Sequence, residues 1–484
     1  MTVADVIADG LARAGTARVF GVGEGSVPAA MARRGVAVVP IARPDVACVM
    51  AAVSGTLTAT PGAAVIQDFA DAGVGLAYAY FDRAPTVVIG AGTSAARASA
   101  LESVTKATLA VGSASAAHWI AHACQLVMTE PWGPVCLDVS PAIAEAPTLP
   151  IATSCRPAPL AAPEPDVVDV AVRRLAGAER PVVVAGRLCR SEADAQWLRA
   201  FAEARPAPVL VTPNARGVFP DPHPLLIGTL GGGDAERTLL RSADLIVAVG
   251  VDPLEVSRDP WPSQIPLVEL TPLAPEASSG DRVLVVGDIG GLFEELAPRL
   301  RDCRFAEWDV ARLHALKGAA SAPPEEQRRL TAYRAVETAR RLTPAGTIAV
   351  FEGGEVSSAA ARAWQAVAPG ELLISTVPAT EGFAIAAAAA AQLARPERRV
   401  VCVTHPAALS AARDQLQIVA ALGLALLIVV VGEPASSPLA LPAGIADFTT
   451  ASAREFGAAL ERALAGGRPA VLAPRSHDLP AFDN

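Results

Sequence analysis

The run RRVVCVTHPAALS, Arg398 to Ser410, sets a histidine and a proline where a strand should hand over to a helix. Val400 to Thr404 is a β-branched run that reads as a buried strand, and small helix-forming residues follow Pro406. In open α/β sheets, ligands bind at such corners. A histidine there could exchange or donate a proton near neutral pH. The proline removes a backbone donor and fixes φ. Other groups with chemistry are more dispersed. His118 and His122 stand four apart in SAAHWIAHACQ, a spacing that one helical face could offer to a metal. No third ligand stands near them in sequence, so an ordinary place on a helix is the simpler reading. GVGEGS, 21–26, resembles a phosphate loop only loosely, and Glu24 would repel phosphate. Cys402 lies inside the strand before His405 and reads as core rather than nucleophile. His223 reads as structural, and His314 and His477 as surface residues.

The elements that must position these groups follow a simple pattern. Short Val/Ile-rich runs alternate with helical patterns throughout. ARVFGV, VAVVPI, AAVIQ, TVVIGA and PVCLDV read as strands of a first block. PVVVAG, PVLVT, DLIVAVG, PLVEL and RVLVVG belong to a second; TIAVFEG, LLIST, RVVCVT, ALLIVVV and PAVLAP belong to a third. Two Pro/Ala-rich stretches poor in apolar periodicity, 141–166 and 317–329, separate the blocks. The expectation is three doubly wound α/β domains with parallel sheets, over residues 1–150, 165–315 and 330–484. A length of 484 residues agrees with a prior of about 150 per domain.

Composition narrows the classes. The chain is 52% hydrophobic and 18% charged, enough apolar material for large cores. A net charge of −9, with no Lys/Arg cluster, argues against a nucleic-acid binder. The seven cysteines are scattered and never form CxxC, which suggests a reducing, cytoplasmic setting. No signal peptide is visible, and the run Ile418 to Gly432 is too short to span a bilayer.

In order, the blocks resemble the thiamine-diphosphate (ThDP) enzymes of the acetolactate synthase and benzoylformate decarboxylase type. The resemblance rests on VADVIADGLARAGTARVFGVGEGSV, GLAYAYFDRAPTVVIGAG, NARGVFPDPHPLLIGTLGGG, SADLIVAVGVDP and TEGFAIAAAAAAQLARPERRVVCV, which span most of the chain. NARGVFPDPHPLLIGTLGG is the most specific of these. The resemblance implies the three-domain ThDP-enzyme fold: a pyrimidine-binding-type domain, a central Rossmann-like domain and a diphosphate-binding-type domain. In some relatives the central domain binds FAD or an ADP-containing molecule; here AGRLCR lacks the usual run of glycines, while GTLGGGDAERT keeps three. The resemblance also implies a homodimer or homotetramer whose sites form between chains.

Family members hold Mg²⁺ and the diphosphate with a Gly-Asp-Gly and a later asparagine. Here those three positions read Thr404, His405 and Pro406. The downstream window VVGEPASS has no asparagine, and the whole sequence has only Asn214 and Asn484. Histidine suits Mg²⁺ poorly. Glu433 would add a like charge beside the diphosphate, at about 4 kcal/mol for a ~4 Å separation at an effective dielectric near 20. The family's cofactor-protonating glutamate is matched by Asp45, one methylene shorter, with Arg43 two residues before it. The large apolar prop of the cofactor is matched by Glu381, in ATEGFA. Glu352, in FEGG, stands at another strand end where acids are common in the family. The expectation is therefore no confident cofactor ligand, no metal ligand, and no standard binding of ThDP and Mg²⁺. Asp45, Glu381, His405, Glu352 and Arg43 are the candidate site residues.

Three functional readings are open at this stage. One is a cofactor-independent enzyme, of lyase, decarboxylase or isomerase type, acting on a small oxo- or hydroxy-acid-like molecule. A second is a non-catalytic partner in a hetero-oligomer with an intact relative. The third is a ThDP-dependent enzyme with other anchoring, through Arg413 or a lysine.

Overall fold

The structure, a computed structural model, describes residues 1–91, 101–231, 233–256, 261–262, 264–273, 281–301, 303, 306–320, 332–354, 361–375, 382–432, 441–450 and 453–474. It contains three six-stranded sheets, and the strand pairs in the described register all run parallel. The first uses β1 (Arg18–Gly21), β2 (Ala37–Pro40), β3 (Gly62–Asp68), β4 (Thr86–Ala91), β5 (Ala107–Ala110) and β6 (Val135–Asp138), in the order β2-β1-β3-β4-β6-β5. The second uses β7 (Pro181–Ala185), β8 (Val209–Val211), β9 (Leu226–Thr229), β10 (Leu245–Val249), β11 (Leu267–Thr271) and β12 (Arg282–Val286), in the order β12-β11-β10-β7-β8-β9. The third uses β13 (Ile348–Phe351), β14 (Leu372–Ile374), β15 (Val400–Thr404), β16 (Leu426–Val430), β17 (Ala446–Thr450) and β18 (Ala470–Pro474). Its order, β14-β13-β15-β16-β18-β17, repeats that of the first. The expected α/β class with doubly wound parallel sheets is what the chain forms.

The chain divides into two compact units. One comprises Met1–Ala158, Arg329–Ala363 and Leu373–Asn484; the other comprises Pro159–Arg328 and Trp364–Leu372. The first and third sheets thus share a unit. Their common core is built on two helices, Pro44–Thr58 and Phe383–Ala394. The second of these, FAIAAAAAAQLA, forms because alanine has the highest helix propensity and loses no side-chain entropy. Its small side chains also let neighbouring backbones come close, so Phe383 through Ala391 are all buried. Phe383 packs against Tyr78, with ring centroids 4.8 Å apart.

Close backbone approach also fixes the end of β1. Gly21 has φ +124, and a Cβ there would lie 2.0 Å from the Val65 carbonyl oxygen on β3. Gly21→Ala should therefore lose about 4 kcal/mol or more of stability, through both strain and overlap. Gly35, at φ +78 with nothing within 4 Å of a Cβ, is the control and should lose only ~1–2 kcal/mol as alanine. Urea unfolding of the two variants checks this; equal losses would contradict it.

Candidate functional site

The third sheet reverses its winding between β13 and β15, which are neighbours. Glu352 follows β13 directly, and Thr404 and His405 close β15. These residues therefore lie at the topological switch point, where a doubly wound sheet opens a crevice.

Glu352 is 2% exposed. It accepts hydrogen bonds from the backbone N–H groups of Phe383 (3.1 Å) and Ala384 (3.3 Å) and from the Thr404 hydroxyl (3.1 Å). The helix Phe383–Ala394 begins at Gly382, which has no side chain to cap it. Glu352 supplies that cap from a strand more than thirty residues away. Burial pushes its carboxyl up to about 7, against the opposing pull of the hydrogen bonds from Ala384, Thr404 and Phe383. A carboxylic acid with that affinity for a proton can give or take one at neutral pH.

His405 has a different task. It is the N-cap of the helix Pro406–Ala411, with φ −119 and ψ 163, and Pro406 occupies the first helical position. The Ala408 N–H donates to His405 Nδ1 at 3.3 Å, and the Leu409 N–H donates to the His405 carbonyl at 2.9 Å. An Nδ1 that accepts a hydrogen bond carries no proton, so the geometry assigns the ring proton to Nε2. The residue is half-buried. Together the two bonds use the N–H groups of Ala408 and Leu409, and Pro406 has none. Within Pro406–Leu409, Ala407 is the residue whose N–H lies outside these bonds. The question raised by His-Pro at a strand end has a structural answer: histidine caps the helix and proline starts it.

Arg43 and Asp45 sit at the start of the helix Pro44–Thr58, Arg43 as its N-cap and Asp45 in its first turn. They form a two-point ion pair, with Arg43 Nε to Asp45 Oδ1 at 3.2 Å and Arg43 Nη2 to Asp45 Oδ2 at 2.5 Å. The hydrogen bond to Asp45 raises the proton affinity of Arg43, and Asp414, in the first turn of the helix Arg413–Ala421, adds to the effect. The chain thus gathers Glu352, Thr404 and His405 at one corner and pairs Arg43 with Asp45 at the start of the helix Pro44–Thr58. Among the described residues, no hydrogen bond or ion pair joins the two groups. Glu381 and Glu433 lie outside the described residues.

The remaining candidates take structural places. Cys402 is fully buried, and burial pushes its thiol well above the ordinary value. The His118 and His122 rings stack at 6.0 Å, and among the described residues no group of three or more His, Cys, Asp or Glu is placed to hold a metal. His223 Nε2 pairs with Glu203 Oε1 at 3.0 Å, and its Nδ1 accepts from the Leu225 N–H at 3.2 Å. His314 is exposed, and His477 lies outside the described residues. Sequence reasoning did not single out Gln415, buried on the helix Arg413–Ala421; its Nε2 would lie 3.6 Å from a Cβ on Gly382. The only available signal was a polar residue among the apolar positions of that helix.

The second sheet has its own switch point, between β7 and β10. Buried Arg187 pairs there with buried Asp252 at 3.2 Å. Glu255 accepts from the Arg187 N–H at 3.0 Å and from the Thr212 hydroxyl at 2.7 Å, and burial raises its carboxyl. A nucleotide phosphate at this place would meet two carboxyl groups and one guanidinium.

Comparison with known proteins places these features in a family. Residues 1–111 match the model of the thiamine pyrophosphate enzyme N-terminal TPP binding domain. Residues 168–296 match the central domain of the same enzymes, and residues 352–434 match the C-terminal TPP binding domain. The matches together cover more than half of the chain. An acetolactate synthase of Mycobacterium avium is 29% identical over 245 residues, 47% of this chain and 39% of the relative. An oxalyl-CoA decarboxylase of Escherichia coli is 30% identical over 174 residues, 34% of this chain and 30% of the relative. The 2-hydroxyacyl-CoA lyase 1 of Mus musculus is 25% identical over 296 residues, 57% of this chain and 50% of the relative. The aligned stretches thus span half or less of each relative. A solved structure from Mycobacterium smegmatis, described as a thiamin diphosphate-dependent enzyme, superposes with a TM-score of 0.80 at 20% identity. It covers 99% of this chain and 100% of its own, which establishes likeness of fold.

Proposed function

This chain belongs to the thiamine pyrophosphate enzyme family, and on that footing we propose that it does acid–base lyase chemistry on a small oxo- or hydroxy-acid-like substrate. We propose further that it does so without ThDP and Mg²⁺ held at the Thr404–Pro406 corner. The observation that carries this reading is the fixed ring of His405. With Nδ1 engaged by the Ala408 N–H, its Nε2–H is a neutral donor at the switch point. Such a donor can polarise a substrate carbonyl and stabilise the negative charge that develops on its oxygen. Glu352, with a carboxyl near 7, is the candidate proton acceptor at this corner. Asp45, oriented by Arg43, and Glu381 complete the proposed polar set.

The corner's own bonding argues against a diphosphate. Two of its backbone N–H groups, those of Ala408 and Leu409, are spent on His405, and the third residue of the motif has no N–H. The relatives named as a synthase, a decarboxylase and a lyase support the reaction class. Homo-oligomerisation and a cytoplasmic setting belong to the same proposal. No helix among the described residues is long and apolar enough to cross a membrane.

A second reading is favoured by one feature. Glu352, His405 and Asp45 each already hold a structural partner, as expected of a non-catalytic subunit that supports an intact relative. One experiment separates the two readings. Purified chain is given a panel of 2-oxo and 2-hydroxy acids without added cofactor, and release of CO₂ or aldehyde is followed. Turnover unaffected by adding ThDP and Mg²⁺ supports the enzyme reading. Turnover that appears only with the cofactor overturns it, and turnover that appears only with a co-purified second chain favours the subunit reading.

A further inference from the structure

Arg205 closes the helix Glu192–Ala204 as its C-cap and leads through Pro206, Ala207 and Pro208 into β8. The residue is 5% exposed, and both terminal nitrogens of its guanidinium are buried. Among the described residues, neither Nη1 nor Nη2 has a hydrogen-bond partner. The segment around it is apolar. Leu198 and Ala202 on the same helix are fully buried, Ala207 and Val209 follow in the same core cluster, and Phe201 packs on Phe293 with ring centroids 5.4 Å apart. The nearest acid in sequence, Glu203, is already held by Arg199 at 3.2 Å and by His223 at 3.0 Å.

Other arginines withdrawn from solvent in the same compact unit are matched by acids. Arg187 pairs with Asp252 at 3.2 Å, and Arg216 pairs with Asp221 at 2.7 Å. A guanidinium has five N–H donors and cannot shed its proton in a protein. Buried without a partner, it leaves a full charge uncompensated, which is the costly case for a buried ion. The dipole at a helix C-terminus favours a cation but offsets only part of that cost. The group that answers such a cation is an anion with acceptors for both nitrogens.

We propose that the Arg205 guanidinium is the receptor for a small monocarboxylate, held at two points through Nη1 and Nη2. Charge and shape choose the class. One negative charge cancels one positive charge, whereas a phosphate dianion would leave a net charge buried. The two oxygens of a planar carboxylate match the guanidinium fork; chloride offers a single acceptor centre. The backbone holds the fork in place. Pro206 and Pro208 fix φ, the Ala207 N–H donates to the Ala202 carbonyl at 3.0 Å, and the Val183 N–H donates to the Pro208 carbonyl at 3.0 Å. Residues 205–208 form no helix or strand, so a small anion enters by local opening at the helix end. Arg205 belongs to the unit of the second sheet and His405 to the other, so this site does not depend on the chemistry proposed for His405.

The test uses the full chain, exchanged into a buffer free of carboxylates and chloride, and the probe is sodium formate. Calorimetric titration should show saturable binding of one formate per chain. Sodium chloride at the same ionic strength should give no saturable heat. Formate at about a hundred times its Kd should raise the folded-to-unfolded ratio of this unit about a hundredfold, read by urea unfolding. Arg205→Met keeps much of the apolar stem and removes the charge. It should bind no formate, and without formate it should be as stable as the parent or more so, because an unpaired buried charge is gone. Arg205→Lys keeps the charge without the fork and should bind formate at least ~10-fold more weakly. The parent's formate and chloride titrations decide the matter even if a variant folds poorly. No saturable formate binding overturns the proposal, since the two nitrogens are then met by water alone. Binding that survives in Arg205→Met places the anion elsewhere and overturns it as well. Chloride that binds as tightly as formate overturns the two-point assignment.

Discussion

Glu352→Gln should be less stable than the parent at pH 5 and should draw level with it, or pass it, by pH 8. The sign follows from where the proton binds. The folded carboxyl titrates at about 7, against 4.5 for the free side chain. Between those values the native state holds a proton that the unfolded state has lost, so stability falls as pH rises. A tenfold change in proton affinity is about 1.4 kcal/mol, so about 3 kcal/mol of stability is present at pH 4 and lost above pH 7. Glutamine removes this slope. It keeps one carbonyl oxygen for the Phe383 N–H, but its amide turns a donor toward the Ala384 N–H. That mismatch costs ~1–3 kcal/mol at every pH. The protonated parent has no such conflict, because its O–H can turn to Thr404 Oγ1. Urea unfolding of both proteins from pH 4.5 to 8 checks the crossing. Parallel curves would mean that Glu352 is ionised throughout and serves only as a cap. Glu352→Ala, which strands three donors, should lose ~3 kcal/mol or more at all pH values.

The second large effect separates two tasks of His405. His405→Ala should lose ~1 kcal/mol of stability, the usual worth of an N-cap. His405→Asn should keep stability within ~0.5 kcal/mol of the parent, because asparagine caps well and its oxygen can take the Ala408 N–H. Neither variant retains the Nε2–H donor. If that donor stabilises developing charge, both should lose turnover by ~100-fold or more, regardless of their stability. Thermal melts alongside turnover of the best substrate from the acid panel check the pair. An asparagine variant with full turnover would reduce His405 to a cap.

Central strands were plain in the sequence because both of their faces are covered, which makes them continuous Val/Ile runs. VVCVT and LLIVV are examples, every residue buried. Five strands were read in each block, and each sheet has a sixth: β5, β9 and β17. All three lie at sheet edges. An edge strand needs cover on fewer sides, so ATLA and ADFTT alternate exposed with half-buried positions and read as loops. The grouping of the first and third sheets in one unit, with 159–328 set apart, joins segments distant in sequence. No local pattern could announce it.

The site was legible at the level of its corner. That β15 ends just before His405 and a helix begins at Pro406 follows from residue types alone. Residue types also pointed to Glu352 as a strand-end acid. They could not show that its carboxylate caps a helix beginning at Gly382, or that Thr404, fifty-two positions away, donates to it. Both contacts depend on β13 and β15 being neighbours. The Arg43–Asp45 pair, by contrast, is nearly local, since only Pro44 separates the two residues.

The most direct test of the closed corner is calorimetric titration of the purified chain with ThDP in the presence of Mg²⁺, checked by thermal shift. The expected result is no binding heat and no change in melting temperature at ligand concentrations in the millimolar range. A ligand at about a hundred times its Kd would stabilise the chain by about 2.7 kcal/mol, an easily seen shift. Saturable binding at micromolar strength, with such a shift, would contradict the closed corner. The family's cofactor would then have a place in this chain despite His405 and Pro406.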